Sequence, residues 1–266
     1  MKKVINIVIL IVVIICFGKV SIKLFNYYKD SKRYNDIQEL KPSIEGFSSD
    51  TLSDFNIDYT EKEKKLLNIN EDYKMWLSIT NTNIDYPVVQ GEDNEFYLSH
   101  SFNKEESISG ALFIDSNNNI NVDKNIVIYG HHMKNETMFH NLNYFKEEEF
   151  FNENKINIIR SGKQNEYEPF SVYVIPEEEA IFNMSFSDDS DYKEYLANLG
   201  SKSYFYRDIN LDKDSEIITL ITCSYEYDGA RTVVHAIRYN WWWKYIKIIY
   251  FKKIIYCYII FLNKLN

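Results

Sequence analysis

Cysteine is scarce in this chain of 266 residues: three occur, Cys16 in an N-terminal apolar run, Cys223 in a β-type segment and Cys257 in an aromatic tail. Three thiols in such dissimilar settings make no disulfide framework, and a domain of this size needs none. Cys223 is therefore the one thiol of the globular part. Glycine is also sparse, with eight scattered residues and no Gly-rich loop to cradle phosphates. There is no HExxH and no paired CxxC. His131 and His132 in "GHHM" are adjacent, and on an extended segment adjacent side chains point to opposite faces, so a shared metal ion is not expected. A GxSxG nucleophile elbow is missing, which removes the usual support for a serine hydrolase. No acid follows His235, whereas six cations do, so the part up to that point holds 24 basic against 39 acidic residues. A net charge of −9 argues against non-specific nucleic-acid binding, which needs clustered Lys and Arg.

What is present suffices for a packed core: 45% of residues are hydrophobic and 16% aromatic. The chain opens with two lysines and a nearly continuous apolar run from Val4 to Phe17, which reaches about 20 residues if extended through Val20 and Leu24 with snorkelling lysines. No small-x-small site follows the run, and bulky Ile15 precedes Cys16, against a lipid-attachment cysteine. Residues 1–25 are thus expected to be an uncleaved membrane anchor with Lys2 and Lys3 inside the cell and the remainder outside, the cleaved signal peptide being the competing reading. Residues 26–59 form a polar, helix-prone spacer, and a second helix candidate, "DYTEKEKKLLNIN", leads into the domain at 60–239.

Within that domain eight short β-type runs alternate with turn residues: "KMWLSIT", "IDYPVVQ", "GALFID", "NIVIYGH", "INIIR", "PFSVYVI", "EIITLITCS" and "RTVVHAIRY". Helical candidates interrupt them at "DNEFYLSH", "ETMFHNLNYF", "KEEEFFNEN" and "DDSDYKEYLANLG". Irregularly spaced short strands predict a mainly β (α+β) barrel with peripheral helices rather than alternating βα units. The tail, residues 240–266, lacks Gly, Pro and acids, and its lysines follow no helical or strand period. Contact with a membrane surface and a translated frameshift are both open readings of it.

Cysteine chemistry has the most to recommend it. A thiolate nucleophile needs a cation or a base nearby. Cys223 ends the apolar run "EIITLIT", where a strand leaves the core; His131 follows "IVIYG", and Arg231 opens the next run after the Asp228-Gly229 turn. If the strands of Cys223 and Arg231 pair, both residues lie at one end of the sheet. Spacing alone also allows Cys223 to be a small core residue, His131 a hydrogen-bonded surface group, and Arg231 a partner of Asp228 or Glu226. His100, His140 and His235 show no comparable context and read as structural, and His132 is the weaker of its pair.

The stretches "IDYPVVQGEDNEFYLSHSF" (Ile84 to Phe102), "NIVIYGHHMKNETMF" (Asn125 to Phe139) and "ITLITCSYEYDGARTVV" (Ile218 to Val234) together resemble the class B sortases, membrane-anchored cysteine transpeptidases of Gram-positive bacteria, over about residues 60 to 239. The resemblance implies a sortase-type eight-stranded β-barrel, a helix near its N-terminal edge, and another in the insertion before the Cys223 strand, which "DYKEYLANLG" suits. It implies Cys223 as nucleophile, His131, the histidine directly after Tyr-Gly, as proton donor and acceptor, and Arg231 as the catalytic arginine. Asn94, Leu98, Tyr129 and Ile221 correspond to positions lining the peptide groove. No cofactor and no metal are implied; the implied partners are surface proteins with a C-terminal sorting signal, peptidoglycan or its lipid-linked precursor, and the cell membrane. Two features depart from the family: the long tail, and Glu136 where the turn commonly has glycine. The rival readings are a cysteine peptidase that only hydrolyses and a non-catalytic anchored binding module; papain-like enzymes place Cys before His in the chain, whereas His131 comes first here.

Overall fold

A computed structural model describes residues 2–43, 60–207 and 215–238. The tail from 239 onward and all of the spacer beyond residue 43 lie outside the described residues. Helix α1 runs without a break from Lys2 to Gln38. Its first half is apolar all round, with Ile5 to Leu24 exposing large side chains on every face, and it is long and apolar enough to cross a membrane. The 21 residues from Val4 to Leu24 span about 31 Å at 1.5 Å each, close to the hydrocarbon thickness of a bilayer. The second half changes character. Asp30, Arg33, Tyr34 and Ile37, spaced i, i+3, i+4 and i+7, are all buried on one face, docked against the domain.

Helix α2 (Glu61–Ile69) starts at Thr60 with a capping box: the Thr60 hydroxyl accepts from the Glu63 amide at 3.1 Å, and the Glu63 carboxylate accepts from the Thr60 amide at 2.9 Å. The strands follow as β1 (Tyr73–Ile79), β2 (Asp85–Val89), β3 (Leu112–Ile114), β4 (Asn125–Tyr129), β5 (Ile156–Arg160), β6 (Lys163–Pro176), β7 (Phe205–Tyr206), β8 (Ile217–Cys223) and β9 (Ala230–Arg238). Their order is β5-β1-β2-β3-β4-β8-β9-β6, and a β5–β6 pairing closes eight of them into a barrel, with two-residue β7 hanging from β6. All eight β-type runs read from the sequence are barrel strands. The helical candidates are also present: α3 (Phe96–Ser99), a 3-10 turn at His140–Lys146, α4 (Glu148–Glu153) and α5 (Asp189–Lys202).

Closure creates two apolar layers. Inside the barrel, Leu77, Val88, Leu112, Ile114, Ile128, Leu220 and Val234 pack together. Outside, α5 covers β4, β8, β9 and β6. Its N-terminus is capped by the Asp188 carboxylate, which accepts from the Ser190 and Asp191 amides at 2.8 and 2.9 Å. Tyr192, Leu196 and Leu199, at i, i+4 and i+7, then bury against Val127, Ile217, Ile221 and Val233. A fully buried leucine contributes about 1.5–3 kcal/mol relative to an exposed one. This second layer explains the unbroken apolar run of β8: six of its seven residues are buried because both faces are covered.

Candidate active site

Strand register assembles the site. β4 and β8 pair in parallel, with Tyr129 opposite Ile221, and β8 and β9 pair antiparallel, with Cys223 opposite Arg231. Beyond the end of β4 the pairing goes on: the Gly130 amide donates to the Ile221 carbonyl at 3.1 Å, and the Thr222 hydroxyl donates to the Gly130 carbonyl at 2.7 Å. Continued by two residues, the same register sets His131 level with Cys223. Side chains alternate along each strand. Ile218, Leu220 and Thr222 point into the barrel, so Ile217, Thr219, Ile221 and Cys223 point out; on the neighbours Tyr129 and His131, and Arg231 and Val233, share that outer face. Adjacent strands lie about 4.8 Å apart, so His131 and Arg231 flank Cys223 at the end of three consecutive strands.

All three are half-buried, and the side chains of His131 and Arg231 are engaged elsewhere. The His131 Nε2 lies 2.7 Å from the Leu98 carbonyl, which can only accept, so Nε2 carries the hydrogen and Nδ1 is left for exchange. Arg231 is held by the Glu177 carboxylate at 2.6 Å and donates to the Ala230 carbonyl at 3.1 Å. It pairs with neither Asp228 nor Glu226, the alternatives open in the sequence. Among the described residues the Cys223 thiol is free, with no disulfide and no hydrogen-bond partner.

Gly110 locks the His131 clamp. Its φ is +58°, and a Cβ there would lie 2.5 Å from the Tyr97 carbonyl oxygen and 3.2 Å from His131 Cδ2, so a side chain is excluded sterically and conformationally. Tyr97 pins α3 from behind, donating to the Asp72 carboxylate at 2.6 Å and accepting from Asn70 Nδ2 at 2.9 Å.

The four groove-lining candidates occupy different settings. Leu98 is exposed on the rim beside His131. Tyr129 donates to the Asp115 carboxylate at 3.0 Å, and burial with that neighbouring charge drives its phenol pKa upward. Asn94 donates to the same carboxylate at 3.0 Å and accepts from the Ser116 amide at 2.8 Å, bracing the loop after β3. Ile221 is buried in the apolar layer that α5 covers.

His132, adjacent to His131, points to the opposite face. Its Nδ1 donates to the Cys223 carbonyl at 3.0 Å. Behind it the Asn143 carbonyl oxygen accepts from the Ser224 and Thr232 hydroxyls at 3.2 and 2.6 Å, fixing the turn after Cys223. Burial pushes the His132 pKa down, helped by His140 and Lys146 and opposed by the Cys223 carbonyl and Glu226. His132, Asn143 and Glu177 carry no sequence signal for these roles, because each depends on a pairing between segments far apart in the chain.

The model of the sortase domain matches residues 77–239. Sortase B of Listeria monocytogenes serovar 1/2a is 32% identical over 185 residues, covering 68% of this chain and 75% of that protein. Sortase B of Staphylococcus aureus is 30% identical over 243 residues, covering 89% and 97%. Among solved structures, a mutant form of Clostridium perfringens sortase B aligns with a TM-score of 0.72 at 46% identity, over 79% of this chain and 99% of that one. A Staphylococcus aureus sortase B-substrate complex aligns with a TM-score of 0.70 at 25% identity, over 82% and 99%. Barrel, helices and sequence matches agree: the chain belongs to the sortase family of cysteine transpeptidases, in its class B.

Proposed function

We propose that this protein is a membrane-anchored transpeptidase that cleaves a C-terminal sorting signal after threonine and joins the new carboxyl end to a peptidoglycan amine outside the cell. The observation that supports the reading is the register: Cys223 lies opposite Arg231, and Tyr129, two residues before His131, lies opposite Ile221, two residues before Cys223. The Cys223 thiolate attacks the threonine carbonyl carbon, and the tetrahedral oxyanion forms beside Arg231, whose guanidinium exchanges Glu177 for the oxyanion or the substrate backbone. The C–N bond breaks as the His131 imidazolium gives the Nδ1 proton to the leaving amine. A thioester remains on Cys223. The incoming amine transfers a proton to His131, attacks the thioester, and releases the thiolate. The Leu98 carbonyl holds Nε2–H throughout, fixing which nitrogen exchanges protons.

Leu98, Tyr129 and Asn94 line the proposed peptide groove, with Ile221 beneath it in the layer that α5 covers, and residues 1–25 are the proposed anchor of domain 60–239, with residues 26–59 as connector. The Staphylococcus aureus sortase B-substrate complex among the structural neighbours supports a substrate site in this fold. The test is turnover by the full chain in detergent of fluorogenic sorting-motif peptides, with and without a peptidoglycan-type amine. Cys223→Ala is expected to lose all turnover, and amine to divert product from acid to amide. Hydrolysis unchanged by every amine would instead indicate a peptidase, and cleavage by Cys223→Ala would contradict the reading.

A further inference from the structure

The docked half of α1 ends against the clamp that holds His131. The Tyr34 hydroxyl donates to the Gly110 carbonyl, and Gly110 is wedged between the carbonyls of Tyr97 and Leu98 and the His131 ring. The Leu98 carbonyl is the acceptor for His131 Nε2. Around this point the contact is ionic: the buried Asp30 carboxylate accepts from the Ser107 hydroxyl at 2.8 Å and the Ser109 amide at 3.2 Å, and the buried Arg33 bridges Asp30 at 3.1 Å and the exposed Glu105 at 2.5 Å. A second route leads to the other side of the histidine. The Tyr34 ring meets Tyr86 edge-on at 5.4 Å, the Tyr86 hydroxyl accepts from the Met138 amide at 3.3 Å, and the adjoining Phe139 amide donates to the His131 carbonyl at 2.9 Å. The helix thus touches both segments that fix the imidazole. None of this is needed merely to connect an anchor to a domain.

We infer that Tyr34, on the anchor helix, is a positioning residue for His131: through Gly110 and the Leu98 carbonyl it holds the imidazole in one tautomer and orientation. The inference rests on the assignment of proton transfer to His131. Because α1 is continuous from the apolar run to Gln38, the membrane anchor and the proton-transfer group belong to one mechanical unit.

The test uses the full chain in lipid nanodiscs, with Tyr34→Phe, which removes the hydroxyl and keeps the ring, and Gln38→Ala, which removes a docking contact to the Asp85 carbonyl, 3.1 Å long, away from the clamp. Imidazole 15N spectra, with His131 assigned through His131→Gln, report the tautomer independently of activity. Tyr34→Phe is expected to convert a single Nε2–H form into a tautomer mixture. It should also lower kcat about fivefold at unchanged KM, the rate equivalent of one net hydrogen bond; Gln38→Ala should do neither. An unaltered His131 spectrum in Tyr34→Phe overturns the inference, and so does an equal change in Gln38→Ala, which would assign the effect to docking in general. If the wild type shows no Cys223-dependent turnover, the functional reading fails while the 15N comparison still decides the inference.

Discussion

The outer faces of β4, β8 and β9 carry two environments along the same three strands. Under α5 the face is sealed: Val127, Ile217, Val233 and Ile237 are buried, and every polar group among them is satisfied. Thr219 donates to Asn125 Oδ1 at 2.7 Å, so its oxygen accepts from His235 Nδ1 at 2.9 Å, while the Tyr173 hydroxyl lies 2.7 Å from Nε2. That histidine is a fixed neutral tautomer. Two residues past the sealed zone the face opens, and His131 and Arg231 are tied to a backbone carbonyl and to Glu177, whose side chain is 65% exposed. A histidine with both nitrogens locked is architecture, whereas one with a free Nδ1 beside a thiol can move a proton. Residue type does not separate the two; position relative to α5 does.

The largest expected effect is at the open end. Arg231→Lys keeps the charge but loses the bidentate fork, and kcat/KM should fall about 100-fold or more in the peptide assay, with the melting temperature nearly unchanged. At the sealed end the converse holds. Leu196→Ala should cost about 2–5 kcal/mol in urea unfolding through the cavity left under α5, while turnover per folded molecule stays near wild type.

His235 gives the comparison a pH signature. Burial pushes its pKa down to about 3, from an ordinary value of 6.5. Below about 6.5 the unfolded chain therefore takes up a proton that the folded chain refuses, so stability falls as pH drops, by about 1.4 kcal/mol per unit, until the folded value is reached. His132, also pushed down by burial, adds in the same direction. Denaturant melts between pH 7 and 5 should show this slope, and His235→Gln should flatten it. The smallest effect is at the turn after His132. Glu136 has a φ of +63°, a left-handed conformation that glycine adopts freely, so Glu136→Gly should stabilise the chain by about 0.5–1 kcal/mol in the same melts.

The strands were legible because their apolar runs are bounded by turn residues, and their irregular spacing already pointed to a barrel, to which the family resemblance added the sortase-type form. Cys223 and Arg231 could be placed together because one short turn separates their strands. His131 could not be joined to them by spacing, since the parallel β4–β8 pairing spans 92 residues of chain. What stayed hidden were contacts made by groups that sequence does not mark: the Leu98 carbonyl, the Glu177 carboxylate and the Asn143 amide. The polarity of the spacer reads as a connector, whereas the stretch up to Gln38 continues the apolar N-terminal helix, and its buried face is a polar i, i+3, i+4 pattern that a search for apolar stripes passes over.

The central claim is that one groove at the end of β4, β8 and β9 forms a thioester on Cys223. Intact-protein mass spectrometry of the full chain, quenched in acid during turnover of a sorting-motif peptide, tests it most directly. The account predicts a mass increase equal to the peptide's acyl part through threonine, mapped to Cys223 and discharged by hydroxylamine or a peptidoglycan-type amine. Steady cleavage of the peptide with no adduct on Cys223 at any time, or an adduct on another residue, would contradict it.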